Sequence, residues 1–167
     1  MNIKIRKASE NDAESISNIW KVICAEKVYS AVEKPFTPQQ EREYLLSLSE
    51  REIVFIAEVE GKVVGFQTLD LWSRVLTSTS HVGTIGTFIL PEYRRKDIGN
   101  SLANQTFEFA RVKHYEKIVI YIRKRNKQAI QFYQNLGFII KGDLERQIKI
   151  DNTYEDELFM EKFLKKI

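Results

Sequence analysis

Residues 93 to 102, Tyr-Arg-Arg-Lys-Asp-Ile-Gly-Asn-Ser-Leu, put three consecutive cations, Arg94, Arg95 and Lys96, just ahead of a glycine and a helical apolar pattern. A basic loop running through a glycine into a helix makes an anion cradle. The unpaired N–H groups of the first helical turn and the helix dipole both favour negative charge there. The chemistry this supports is the holding of a phosphate or diphosphate. Asp97 stands inside the cradle, where a side-chain N-cap would use the same N–H groups as the anion. The expected arrangement turns its carboxylate outward, toward Arg94, Arg95 or Lys96. The loop has neither the Gly-x-x-x-x-Gly-Lys-Ser/Thr nor the Gly-x-Gly-x-x-Gly pattern, since Gly99 is its one glycine, so nucleoside triphosphates and dinucleotides lose ground as ligands.

Other reactive side chains stand apart. Cys24 is the single cysteine and has no intramolecular partner; with His81 and His114 separate from it, no metal-ligand spacing exists. A net charge of +3 is far milder than the clustered basicity of a dedicated nucleic-acid binder, and no aromatic-basic stripe accompanies it. The N-terminal stretch has no apolar signal core, and no apolar run approaches membrane-spanning length. A reduced, cytoplasmic setting without membrane association is expected. With 167 residues, 43% hydrophobic and 29% charged, the chain fits one α/β domain covering residues 1–167.

The elements that must position the loop follow from periodicity. Residues 3–8 alternate as a short strand. Ile16, Ile19, Trp20, Ile23 and Cys24 form one face of a first helix, with Ser9 or Asn11 as its N-cap. Thr37-Pro38 starts a second helix that ends near Ser49. Two β-rich runs flank Glu60-Gly61 as a hairpin. Residues 81–90 form a further strand, in which Gly83 and Gly86 signal a bulge or a close backbone approach. After the basic loop, Ile98, Leu102, Phe109 and Val112 share helical spacing. Residues 117–122 are a short strand and 126–138 a short helix closed by Gly137; two strands about Asp151-Asn152 end the chain.

Two segments carry a family resemblance. Gly-Thr-Phe-Ile-Leu-Pro-Glu-Tyr-Arg-Arg-Lys-Asp-Ile-Gly-Asn-Ser-Leu resembles the acetyl-CoA loop of GNAT acetyltransferases, Gln/Arg-x-x-Gly-x-Gly/Ala, with Arg94 at the first position and Gly99 at the last. Asp97 departs from the pattern at its first glycine. Residues 123–138 are similar to a second segment of the same superfamily, in which Asn126, Ala129, Phe132, Tyr133, Gly137 and Phe138 match; residues 154–164 resemble its closing strand. The resemblance spans nearly the whole chain and implies a mixed, twisted sheet with helices on both faces, split between the strands at 81–90 and 117–122 to form a CoA cleft. It implies acetyl-CoA as co-substrate and direct acetyl transfer to a primary amine. Thr87, Phe88 and Ile89 would bond the pantetheine arm, and the segment Arg94, Arg95, Lys96, Asp97, Ile98, Gly99, Asn100 and Ser101 would hold the pyrophosphate. Asn126 would bond CoA as well as cap its helix. Tyr133 would protonate the departing thiolate, a role open to a phenol of ordinary pKa near 10.

The general base is less defined. Relatives that acetylate ribosomal-protein N-termini carry a glutamate where this chain has Tyr121, and phosphinothricin-type relatives carry one at the position of Thr84. Glu33 ranks first as a base acting through water, ahead of Glu26 and Asp70. His81 is read as a surface histidine, Trp72 and Arg74 as pocket walls or a strand end, and Cys24 as core. An α-amine, ordinarily of pKa about 7.7 to 8.0, needs less help than a lysine, so the acceptor is a small molecule or a peptide N-terminus. The acidic Asp151–Leu158 turn reads as exposed surface rather than as a polyamine site. A homodimer stays open, as does the rival that the chain is a CoA-binding sensor without catalysis.

Overall fold

The structure, a computed structural model, describes residues 1–164. The chain runs β1 (Ile3–Lys7), α1 (Ala13–Glu26), α2 (Pro38–Ser47), β2 (Ile53–Val59), β3 (Lys62–Leu71), β4 (Val82–Ile89), α3 (Ile98–Val112), β5 (Lys117–Arg123), α4 (Lys127–Asn135), β6 (Ile139–Ile150) and β7 (Thr153–Phe163). Seven strands form one mixed open sheet in the order β1-β2-β3-β4-β5-β7-β6. Every neighbouring pair is antiparallel except β4 and β5.

Period-two alternation along the strands sends successive side chains to opposite faces, and each face is covered. Val54, Ile56 and Phe66 pack on Ile16, Ile19, Trp20 and Ile23 of α1, with Tyr44, Leu45 and Leu48 of α2 and its C-cap closing over them. Ile53, Phe55, Leu69 and Ile118 pack on the other side against Leu102, Phe107 and Ala110 of α3 and Ile130 of α4. Two hairpins are held by left-handed turn residues, Glu60-Gly61 and Asp151-Asn152, all four at positive φ.

Local signals place the starts of α2 and α4. Thr37 caps α2 through its hydroxyl, which accepts from Gln40 N–H, while Gln40 Oε1 accepts in return from Thr37 N–H. The α1 start differs from expectation: Ser9 begins a short 3-10 turn instead, and Asp12 leads directly into the helix. Asp12 accepts two bonds from the Arg6 guanidinium and one from Ser9 N–H, so its carboxylate ties β1 and the turn to the helix start without capping the first-turn N–H groups. Val112, expected on the buried stripe of α3, is the last helical residue and is 70% exposed. The glycines of β4 mark close approach and no bulge. A Cβ on Gly83 would lie 3.0 Å from both Leu69 and Tyr115, and the register to β3 runs unbroken.

The sheet is split. β4 and β5 pair only at Val82–Lys117, Gly83–Ile118 and Thr84–Val119, and from Ile85 onward they diverge. Among the described residues no third strand fills the gap, so one edge of β4 faces open space.

Candidate active site

The gap between β4 and β5 opens into a cleft of about 280 Å³ whose walls come from β4, the basic loop, α4 and the segment after α1. Trp72 N–H donates to Val82 O and Leu90 N–H to Val64 O, which fixes the alternation of the β3–β4 ladder. Even-numbered β4 residues therefore bond β3, and the amide groups of Ile85, Thr87 and Ile89 point toward the opening. Phe88, expected to offer its backbone to a ligand, offers its ring instead, which packs 4.4 Å from that of Trp20.

Tyr133 projects from α4 to the mouth of the split. Its hydroxyl lies 2.8 Å from Thr87 Oγ1, and Gln67 Nε2 donates to the same Thr87 oxygen at 2.7 Å. Burial pushes the phenol up to about 12, with Thr87 acting in the opposite direction, so it keeps its proton at neutral pH. Asn126 caps α4, its Oδ1 accepting from Ala129 N–H at 3.1 Å; the side chain lines the same cleft and is buried.

The basic loop answers the question raised by Asp97. Its φ is +65°, the left-handed region where a glycine would fit without strain and where aspartate is among the better-tolerated alternatives. The carboxylate does not cap the helix, nor does it turn to the neighbouring cations as expected; it accepts from Asn100 Nδ2 at 2.7 Å. Among the described residues, the N–H groups of residues 95–100 find no backbone acceptor, and the first helical bond at this end is Ser101 N–H to Asp97 O. The cradle is therefore open. Arg94 takes a different part: its guanidinium grips Glu26 at 2.9 and 2.6 Å, donates through Nε to Ile89 O and stacks 4.4 Å over Tyr29. It ties α1 to the end of β4, which leaves Arg95 and Lys96 as the exposed cations. Gly99 allows α3 to approach α4, since a Cβ there would lie 2.9 Å from the Phe132 ring.

A second chamber of about 500 Å³ lies under α2 on the opposite face of β4, and it shares Ile85, Gly86 and Phe88 with the cleft. Two carboxylates line it. Glu41 is 5% exposed, and burial pushes its carboxyl up to about 7, against a smaller opposite effect of Trp20. Asp70 sits directly across the ladder from Thr84, accepts from Tyr44 Oη at 2.6 Å and is raised, chiefly by burial. Glu33 is exposed and faces a different hollow beside Lys34 and Asp151. Of the other candidates, Glu26 is consumed by Arg94, Arg74 by Glu52, His81 and Trp72 are exposed, and Cys24 is half-buried at the end of α1. Among the described residues no group of acidic, His or Cys side chains has the geometry of a metal site.

The model of the Acetyltransferase (GNAT) family matches residues 18–138, which include β4, the loop and α4. The chain belongs to that family. It is similar to an uncharacterised N-acetyltransferase of Methanocaldococcus jannaschii, 33% identical over 100 residues that make up 57% of this chain and 44% of that one. Spermidine N(1)-acetyltransferase of Escherichia coli K12 is 28% identical over 110 residues, 64% of this chain and 55% of that protein. The chain thus spans about half the length of these two relatives. Among solved structures, a Salmonella typhimurium protein determined with its cofactor acetyl-CoA superposes with a TM-score of 0.92, covering 100% of this chain and 96% of that one at 18% identity. That likeness shows the GNAT fold. No helix among the described residues is long and apolar enough to cross a membrane.

Sequence reasoning missed several buried polar residues in and around the two cavities. Glu41 had a visible signal, since it occupies the inward stripe of α2 with Tyr44, Leu45 and Leu48 at helical spacing. Gln67 is a fully buried amide in a central strand. Arg123 is buried, pairs with Glu155 and donates to the carbonyls of Lys27 and Ser30, so it fixes the segment that walls the cleft. Glu157 faces the cleft beside Arg123, and burial raises its carboxyl.

Proposed function

We propose that the chain is a single-domain, acetyl-CoA-dependent N-acetyltransferase that moves an acetyl group directly to a primary amine. The observation that carries this reading is the Tyr133 hydroxyl, buried at the mouth of the split and bonded to the strand whose free edge faces it. In this reading the diphosphate of the donor rests on the open amides of residues 95–100, with Ile98, Gly99 and Ser101 shaping the turn and Arg95 and Lys96 supplying charge. The pantetheine arm extends along β4 as an added strand edge, and Asn126 bonds it from the opposite side.

The amine nitrogen attacks the thioester carbonyl carbon; the C–N bond forms and the C–S bond breaks. Backbone N–H groups on the free edge of β4, near Ile89, steady the oxyanion. The acceptor ammonium gives one proton to Asp70 or Glu41 before attack, and this proton leaves to solvent. Tyr133 gives its proton to the departing sulfur and regains one from the nitrogen as the amide forms. A phenol pushed up to about 12 is a weak acid, but a thiolate emerging in the same desolvated cleft is raised by the same physics. Asp70, which lines the chamber across from Thr84, supports this route better than Glu33, which lies outside it.

Calorimetric titration with acetyl-CoA, followed by thiol release across a panel of primary amines, tests the reading. Binding together with amine-dependent release is expected. Binding without release from any amine would leave a CoA-holding module and overturn the enzyme.

A further inference from the structure

The chamber under α2 says more about the acceptor than membership of the family does, and the inference rests on the transferase reading above. Its wall carries two carboxylates, Glu41 and Asp70, and no lysine or arginine. Among the described residues neither carboxylate has an ion-pair partner: the nearby Arg74 is held by Glu52 at 2.6 Å, and no cation reaches Glu41. Five of the other twelve lining residues are aromatic. Trp20 lies at the centre of a cluster with Phe36, Phe66 and Phe88, its ring centroid 5.4, 5.6 and 4.4 Å from theirs. Phe36, 39% exposed, stands where the cluster meets solvent, and at the far end Gly86 and the Phe88 ring packed over it, 2.9 Å from where a Cβ would lie, form the wall shared with the cleft that holds Tyr133.

A buried carboxylate without a counter-ion is a costly feature for a stable fold, and one facing a cavity is a recognition element waiting for a cation. Aromatic faces around it add cation–π attraction and apolar contact. The same wall repels any second acidic group on the ligand, which would meet two carboxylates and no counter-charge.

We propose that this chamber receives the acceptor, and that the acceptor is a cationic primary amine on an aromatic or otherwise apolar body bearing no carboxylate or phosphonate. Its ammonium sits between Glu41 and Asp70 and its body lies against Trp20 and Phe66; the nitrogen meets the thioester at the wall that Gly86 and Phe88 form.

Three matched acceptors test this with the full chain and acetyl-CoA: 2-phenylethylamine, L-phenylalanine and L-phenylalanine amide. The amine is expected to exceed L-phenylalanine in kcat/KM by at least about 100-fold, and the uncharged amide, similar in size to the acid, to recover most of that difference. Equal rates for the amine and the acid overturn the proposal. So does an amide as poor as the acid, because exclusion would then be by size. Turnover of none of the three, with acetyl-CoA still bound, overturns it as well. Glu41→Gln should lower kcat/KM for 2-phenylethylamine at least about tenfold and narrow the gap to L-phenylalanine, with the affinity for acetyl-CoA unchanged. An unchanged gap in a folded variant removes Glu41 from recognition. Loss of acetyl-CoA binding by the unmodified chain would instead strike the transferase reading itself, so the two failures are told apart by calorimetry.

Discussion

Asp97 offers the sharpest test of where the donor's diphosphate rests. Asp97→Asn keeps the shape of the side chain, its acceptance of the Asn100 amide and its tolerance of the left-handed backbone; it removes only the charge. A diphosphate held on the first-turn amides would lie about 5 Å from that charge, taking hydrogen-bond reach plus one atom layer. With water-like screening, two phosphate charges at this distance are opposed by roughly 1.7 kcal/mol. Salt reduces this to about 0.9 kcal/mol at physiological ionic strength and to about 1.4 kcal/mol near 10 mM. The variant should therefore bind acetyl-CoA about fivefold tighter at 150 mM salt and about tenfold tighter at 10 mM. Asp97→Gly should show the same gain in affinity. Its thermal midpoint should move little, because relief of the left-handed backbone is offset by the greater freedom of glycine in the unfolded chain. Calorimetry at two salt concentrations, with a melting curve for each variant, reads all of this. Affinities equal within twofold at low salt would refute the placement of the diphosphate.

Three other expectations follow from the same geometry. Tyr133→Phe removes the hydroxyl that Thr87 meets at 2.8 Å, and should lower kcat about 10²- to 10⁴-fold with little change in acetyl-CoA affinity; unchanged kcat in steady-state thiol release would exclude it as the acid. Gln67 donates to Thr87 and so orients the bond to Tyr133, and Gln67→Met should lower kcat about tenfold while KM for acetyl-CoA holds; a fall confined to the melting temperature would make Gln67 structural only. The carboxyl of Glu41, facing Trp20, Tyr44 and Asp70, is raised in the fold from 4.5 to about 7, so its contribution to stability is fully present below about pH 4.5 and lost as pH rises through 7. Between pH 5 and 8 that loss is about 2–3 kcal/mol, or about 4–12 °C in thermal midpoint for a domain of this size, and Glu41→Gln should flatten the slope. A parallel slope in the variant would contradict the burial argument.

The fold was legible where local chemistry decides structure. Thr37-Pro38 with Gln40, the Glu60-Gly61 turn and Gly137 each fix an element boundary through a cap or a left-handed residue, whatever packs around them. The cradle and cleft proposed for the donor were visible as a pattern for a related reason: strand, loop and helix start are contiguous in sequence, so Arg94 to Ser101 and Asn126 to Tyr133 carry their geometry with them. The chamber proposed for the acceptor is assembled from α1, α2, β3 and β4, and no spacing in the chain records that Glu41 and Asp70 face one cavity. Arg94 shows the limit most clearly. It stands at the family's first motif position, yet its charge is spent on Glu26, a partner 68 residues away.

The central claim is that β4 and the first turn of α3 together place a thioester sulfur beside the Tyr133 phenol. A crystal structure of the chain with acetyl-CoA tests this directly. The account predicts phosphate oxygens within hydrogen-bond distance of the amides of residues 95–100 and the sulfur within about 3.5 Å of Tyr133 Oη. Phosphates bound elsewhere, or a sulfur separated from Oη by more than one intervening water, would contradict it.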